Sequence, residues 1–177
     1  EFSFTMAHLK DEGMIATSEI ATKIADFTYS KYMRDTRQAL KDFDDGKDSM
    51  LIDDMVNMNI MLTGMVSDLS TGGKQLAVAH NFYDAVCCMY KDVRRKYLHG
   101  EIVAMALPLQ LAVNGRPEAE IEELKAFLRE VGIPVSIREA GMPQDGLEEL
   151  ITYVHRVTIP DDMELLEQIR DGFKYIM

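Results

Sequence analysis

Cysteine, positive charge and long apolar runs are all scarce in this chain of 177 residues. Its only two cysteines, Cys87 and Cys88, are neighbours. A trans peptide holds adjacent Cα atoms about 3.8 Å apart, closer than the roughly 4.4–6.8 Å that a disulfide spans. A mutual bridge would be strained, so reduced, helix-borne thiols in a cytoplasmic protein are expected. Lys and Arg number 19 against 30 Asp and Glu, a formal net charge of −11. That excess repels phosphate backbones and anionic membrane surfaces and argues against nucleic-acid binding as the main activity. The longest nearly unbroken apolar run, Ile102 to Val113, is interrupted by Pro108 and Gln110 and is well short of the roughly 20 residues that cross a bilayer. The start, Glu1-Phe2-Ser3-Phe4, has neither an initiator Met nor the positive-then-apolar order of a signal peptide, and reads as a chain cut from something longer.

What is present suits a packed core. Apolar residues make up 47% and charged residues 28% of the chain, ordinary proportions for one sizeable domain spanning residues 1–177. Apolar positions recur with helical period and no segment alternates strictly, so the fold expected is all-α, a multi-helix bundle. The 13 methionines fall in amphipathic stretches and read as core fillers. A first helix is expected from about Ser18 to Asp44, with Ile20, Ile24, Phe27, Tyr32 and Leu40 facing inward and Gly46 stopping it. Ser49 is placed to cap a second helix whose broad apolar face, from Leu51 to Val66, implies deep burial before it ends near Leu69. After a break at Ser70-Thr71-Gly72-Gly73-Lys74, a helix from about Gln75 to Tyr90 carries His80. A charged connector, Lys91 to Lys96, leads to an apolar helix over His99–Val113 that closes at Asn114-Gly115. Pro117 is expected at the first position of a helix ended by Gly132, and two further helices over about Leu147–Val157 and Asp161–Tyr175 complete the chain.

Chemistry concentrates on two histidines. His80 and His99 are separated by one helix, a connector and the start of the next helix, so two antiparallel neighbours would bring both imidazoles to one cleft. Imidazole nitrogens bind zinc or iron at about 2.0–2.1 Å, although a catalytic zinc normally takes three protein ligands. Asp84 lies four residues after His80 on the same helix face, either as a partner of His80 around a metal or as a solvated carboxylate. Glu101 is either a partner of His99 or a complement to the positive helix end. Lys91, Arg94, Arg95 and Lys96 lack the interleaved aromatics of a nucleic-acid platform and read as solvated. Ser70–Lys74 lacks phosphate-loop spacing. Asn81, His8 and His155 receive no chemical role, and no nucleophile arrangement can be argued from spacing.

Two stretches carry a resemblance. Gly64–Ala85, with Gly72-Gly73 followed by Ala77-Val78-Ala79-His80, and Leu98–Asn114, with the opening His99-Gly100-Glu101, resemble the helical C-terminal metal-binding domain of glycerol dehydrogenases. These belong to the iron-containing alcohol dehydrogenase superfamily, which also resembles dehydroquinate synthase. The helix pattern is compatible from about Thr5 to the C-terminus. The resemblance implies that His80 and His99 match two of three ligands holding zinc or iron against a substrate hydroxyl while hydride moves to NAD(P). It also implies that the third ligand, an Asp, and the nucleotide-binding domain lie N-terminal to the part that aligns. The isolated chain is then expected neither to bind NAD(P) nor to transfer hydride. A small alcohol or polyol is the implied substrate of the complete enzyme, and homo-oligomers are implied as its assembly. A dehydroquinate synthase-like lyase domain and a non-catalytic helical oligomerisation module are the alternatives.

Overall fold

The computed structural model describes residues 1–8, 16–69 and 77–177, and no strand occurs among them. Two compact units divide the chain, one running over Phe2–Gln75 and the other comprising Glu1 with Leu76–Met177.

In the first unit, α1 (Phe2–His8) precedes the long helix α2 (Ala16–Asp44). The expected stop is present: Gly46 takes φ +65°, the left-handed conformation that favours glycine after a helix end. There Gly46 N–H donates to the Phe43 carbonyl at 3.0 Å and Lys47 N–H to that of Asp42 at 2.9 Å. Ser49 Oγ then accepts the Leu51 N–H at 3.3 Å and donates to Asp42 at 2.9 Å, opening α3 (Met50–Asn57) as its residue type dictates. A π-helical turn, Met58–Leu62, and α4 (Thr63–Leu69) follow directly.

Burial in this unit differs from the sequence expectation. Ile20, Phe27 and Leu40 are exposed, and α2 buries Ser18, Ala21, Thr28, Ala39 and Asp42 instead. Along α3, the π turn and α4 only Met58 is buried, while Val56, Ile60, Met61 and Met65 are exposed. A few helical segments on one long helix bury too little surface to cover every apolar side chain they carry. The expected break at Ser70–Lys74 and helix start at Gln75 lie outside the described residues.

The second unit contains α5 (Val78–Met89), α6 (Lys91–Lys96), α7 (His99–Met105), α8 (Leu107–Val113), α9 (Glu118–Glu130), α10 (Leu147–Thr158) and α11 (Met163–Gly172), then a 3₁₀ turn at Phe173–Tyr175. Helix α5 packs against α7, α8 and α10, and α8 against α9 and α11. Fully buried Phe82, Ile102, Met105, Leu109, Leu150 and Ile169 fill the core, with the rings of Phe82 and Phe173 centred 6.2 Å apart. The single helix expected over residues 99–113 is two. Its junction falls at Ala106, two residues before Pro108, which has no N–H to return to the preceding turn. Pro117 is one position outside α9, with extended ψ of 143°. Among the described residues no helix is long and apolar enough to cross a membrane.

Candidate metal centre

The site grows from the start of α5. Ala77 occupies its N-cap position and has no side chain that can accept the first free N–H groups. Remote side chains supply what Ala77 lacks. The carbonyl oxygen of Gln110, on α8, accepts the Ala79 N–H at 3.3 Å, and a Glu1 carboxylate oxygen accepts the His80 N–H at 3.1 Å. The same Glu1 oxygen lies 2.7 Å from His80 Nδ1. A carboxylate here also answers the positive end of the helix dipole. With Nδ1 engaged, Nε2 is the ring nitrogen left for another partner.

Hydrogen bonding to Glu1 raises the His80 pKa above the ordinary histidine value; burial works against this, and the Glu1 charge and then that of Asp84 add to it. For Glu1 burial works against ionisation, and the hydrogen bond and charge of His80 outweigh it, leaving the carboxyl below its ordinary range.

His99 is the first residue of α7 and is exposed. Its ring centre lies 5.3 Å from that of His80, with the planes inclined at 50°. The two histidines singled out in the sequence are thus neighbours, on α5 and α7. Tetrahedral zinc with Zn–N bonds of about 2.0–2.1 Å sets two ligating ring centres roughly 5 Å apart. Among the described residues no group of three His, Cys, Asp or Glu side chains is arranged to hold a metal ion. The two imidazoles fit part of a zinc or iron site.

Two carboxylates named from the sequence stand differently. Asp84 is exposed and acts on His80 through its charge. Glu101 accepts the Leu98 N–H at 2.7 Å, closing the start of α7, so this carboxylate is engaged at the helix end. Asn81, given no role, donates to Thr158 Oγ1 at 2.7 Å and ties α5 to α10. His8 bonds the Phe4 carbonyl within α1, and buried His155 bonds the Asp162 carbonyl through Nε2 at 2.7 Å. Cys87 and Cys88 are free thiols.

Sequence reasoning missed Glu1, Gln110, Tyr83 and Arg94. Gln110 had a signal, being the polar residue inside an otherwise apolar run. Glu1 had none, since its contact spans 79 positions. The Tyr83 ring meets His99 edge-on at 4.3 Å between centres. The phenol is pushed above its ordinary pKa first by the neighbouring Cys87 thiol and stays protonated at neutral pH, with Arg94 pulling the other way. Lys91–Lys96, expected as a connector, forms a short helix.

No protein-family profile matches the chain. Over 82 residues it is 33% identical to a glycerol dehydrogenase of Thermotoga maritima, a match covering 46% of this chain and 21% of that protein. Its fold matches a probable glycerol dehydrogenase from Sinorhizobium meliloti at a TM-score of 0.70 and 23% identity, over 88% of this chain and 44% of the other. Glycerol dehydrogenase from Schizosaccharomyces pombe matches at 0.69 and 20% identity, over 88% of this chain and 41% of that one. The chain therefore spans less than half the length of the proteins it matches. It is similar to glycerol dehydrogenases in sequence over part of its length and in fold over most of it.

Proposed function

We propose that this chain is the metal-binding helical part of an NAD(P)-dependent polyol or alcohol dehydrogenase, with His80 and His99 as two ligands of zinc or iron. The observation that carries the reading is the approach of the two imidazoles to 5.3 Å from separate helices, in a chain whose matching stretch is 33% identical to a glycerol dehydrogenase. In such a centre the metal supplies Lewis acidity to a substrate oxygen. The protein's part is positional. Glu1 holds His80 by Nδ1 and leaves Nε2 for the metal, as a carboxylate commonly does for a ligating histidine. Among the described residues His99 makes ring contacts and no hydrogen bond, leaving its nitrogens for a ligand.

The third ligand and the nucleotide-binding part belong to the complete enzyme under this reading, as do the polyol substrate, the homo-oligomeric assembly and a cytoplasmic location. The isolated chain is inactive in hydride transfer, because metal and nicotinamide must be held face to face for the rate gain that proximity gives. The dehydroquinate synthase-like alternative has no observation in its favour.

Zinc titration of the chain and of the His80→Ala and His99→Ala variants, with helix content followed by circular dichroism, tests the proposal. Each variant should lose metal while keeping its helices. Zinc binding by both variants as tight as that of the unchanged chain would overturn it.

A further inference from the structure

The basic run Lys91–Lys96 is not uniform. Arg95 is 78% exposed and pairs with Asp92 on its own helix. Arg94 is half-buried and bonds Tyr83, the ring that touches His99. Its Nε donates to Tyr83 Oη at 2.9 Å, its Nη1 lies 3.4 Å from the Tyr97 carbonyl, and its guanidinium carbon stands 5.4 Å from the Tyr83 ring centre. Tyr83 in turn presses its ring edge-on against His99 at 4.3 Å. Tyr97 and Leu98 are the only residues between α6 and α7, so the Tyr97 carbonyl belongs to the turn that delivers His99. One guanidinium therefore grips both supports of the same imidazole: the aromatic wall beside its ring and the backbone that carries its Cα.

We infer that Arg94 is a positioning residue for His99, fixing the ring through Tyr83 and the α6–α7 turn so that it meets a divalent metal shared with His80. The inference rests on the metal-centre reading above. A planar guanidinium with several fixed donors makes both contacts at once, which the single ammonium of lysine does not. The side chains behind ligating residues typically govern metal affinity by 10–100-fold.

The sign of the effect separates positioning from charge. Removing a positive charge near a cation site tightens cation binding by Coulomb's law, whereas losing the support of a ligand weakens it. Cobalt(II) is titrated into the 177-residue chain and into its Arg94→Ala, Arg94→Lys, Tyr83→Phe and Arg95→Ala variants, with the visible absorption of the bound ion recorded. Arg94→Ala should weaken binding about tenfold or more and alter the spectrum. Arg94→Lys, with the charge kept, should also weaken it. Tyr83→Phe, which keeps the aromatic wall, should fall between Arg94→Ala and the unchanged chain. Arg95→Ala should bind cobalt at least as tightly as the unchanged chain. Unchanged or tighter binding by Arg94→Ala overturns the inference.

A second arm needs no metal. The nuclear Overhauser effect between the Tyr83 and His99 rings should be strong in the unchanged chain and collapse in Arg94→Ala, with helix content preserved. Its persistence in Arg94→Ala overturns the positioning role. Collapse of that signal together with no cobalt binding by the unchanged chain upholds the arrangement and overturns the metal-centre reading alone.

Discussion

The Gln110 side-chain oxygen accepts the N–H of Ala79, 31 positions earlier, and so caps the helix that carries His80 from a different helix. Gln110 is 1% exposed, and its amide nitrogen donates to Asn114 at 2.9 Å. Replacing Gln110 by Met keeps the volume and removes both bonds. It leaves a helix-start N–H buried without a partner, which costs about 1–3 kcal/mol. Urea unfolding of Gln110→Met should show a loss of that size, and an unchanged midpoint would remove Gln110 from this role.

Legibility followed the reach of each interaction. The end of α2 at Asp44 and its glycine stop, the Ser49 cap and the glycine-ended helices could be read because each depends on residues a few positions apart. Burial along α2 could not be read from its own pattern: Ile20 and Leu40 sit at plausible core spacing, yet both are exposed among the described residues. The break at Ala106 was foreshadowed by Pro108, which was read only as an interruption of an apolar run. At the candidate site both histidines were legible from residue type and local context. Glu1, Gln110 and Arg94 reach the site only through tertiary packing.

Helix α11 meets α8 at a glycine. A Cβ built on Gly172 would lie 2.8 Å from Leu109 Cδ1 and 3.4 Å from Ala112 Cβ, and Leu109 is fully buried, with little room to yield. Gly172→Ala gains up to about 1 kcal/mol of helix propensity against about 1–3 kcal/mol of overpacking, for an expected net loss of about 1 kcal/mol. The loss should vanish in a Leu109→Ala background, since the two side chains compete for one space. Additive effects of the two substitutions in a double-mutant cycle would contradict this account.

Asp35, on α2, accepts from Arg34 Nε at 2.7 Å and Nη2 at 2.8 Å, and from Lys31 at 3.3 Å. The Arg34 hydrogen bonds foremost, then those of Lys31, bring its carboxyl from 3.8 to about 2. A depressed folded-state value means that the contribution to stability is complete above the unfolded value and disappears as pH falls from about 4 towards 2. A carbon-detected titration of Asp35 should find its midpoint near 2, and Arg34→Ala should raise it. Arg34 is 68% exposed, so added salt should raise the midpoint as well. A midpoint at the ordinary aspartate value, insensitive to salt and to Arg34→Ala, would refute the pairing.

The exposed apolar side chains of α2, α3, the π turn and α4 have a consequence in solution. Phe43 is 68% and Ile60 70% exposed, alongside Phe27, Leu40, Val56 and Met61. Tyr32, Leu40, Phe43, Ile52, Met55 and Val56 border a groove of about 220 Å³. Apolar surface of this kind drives association, while a net charge of −11 opposes it between copies. The two forces respond to salt in opposite ways: screening removes the repulsion and leaves the apolar attraction. Sedimentation velocity should therefore show self-association that grows with protein concentration and with salt. The double substitution Phe43→Ser with Ile60→Ser should return the chain towards monomer without loss of helix. A strictly monomeric profile across concentrations, or association that salt dissolves, would show that this apolar face does not drive self-association.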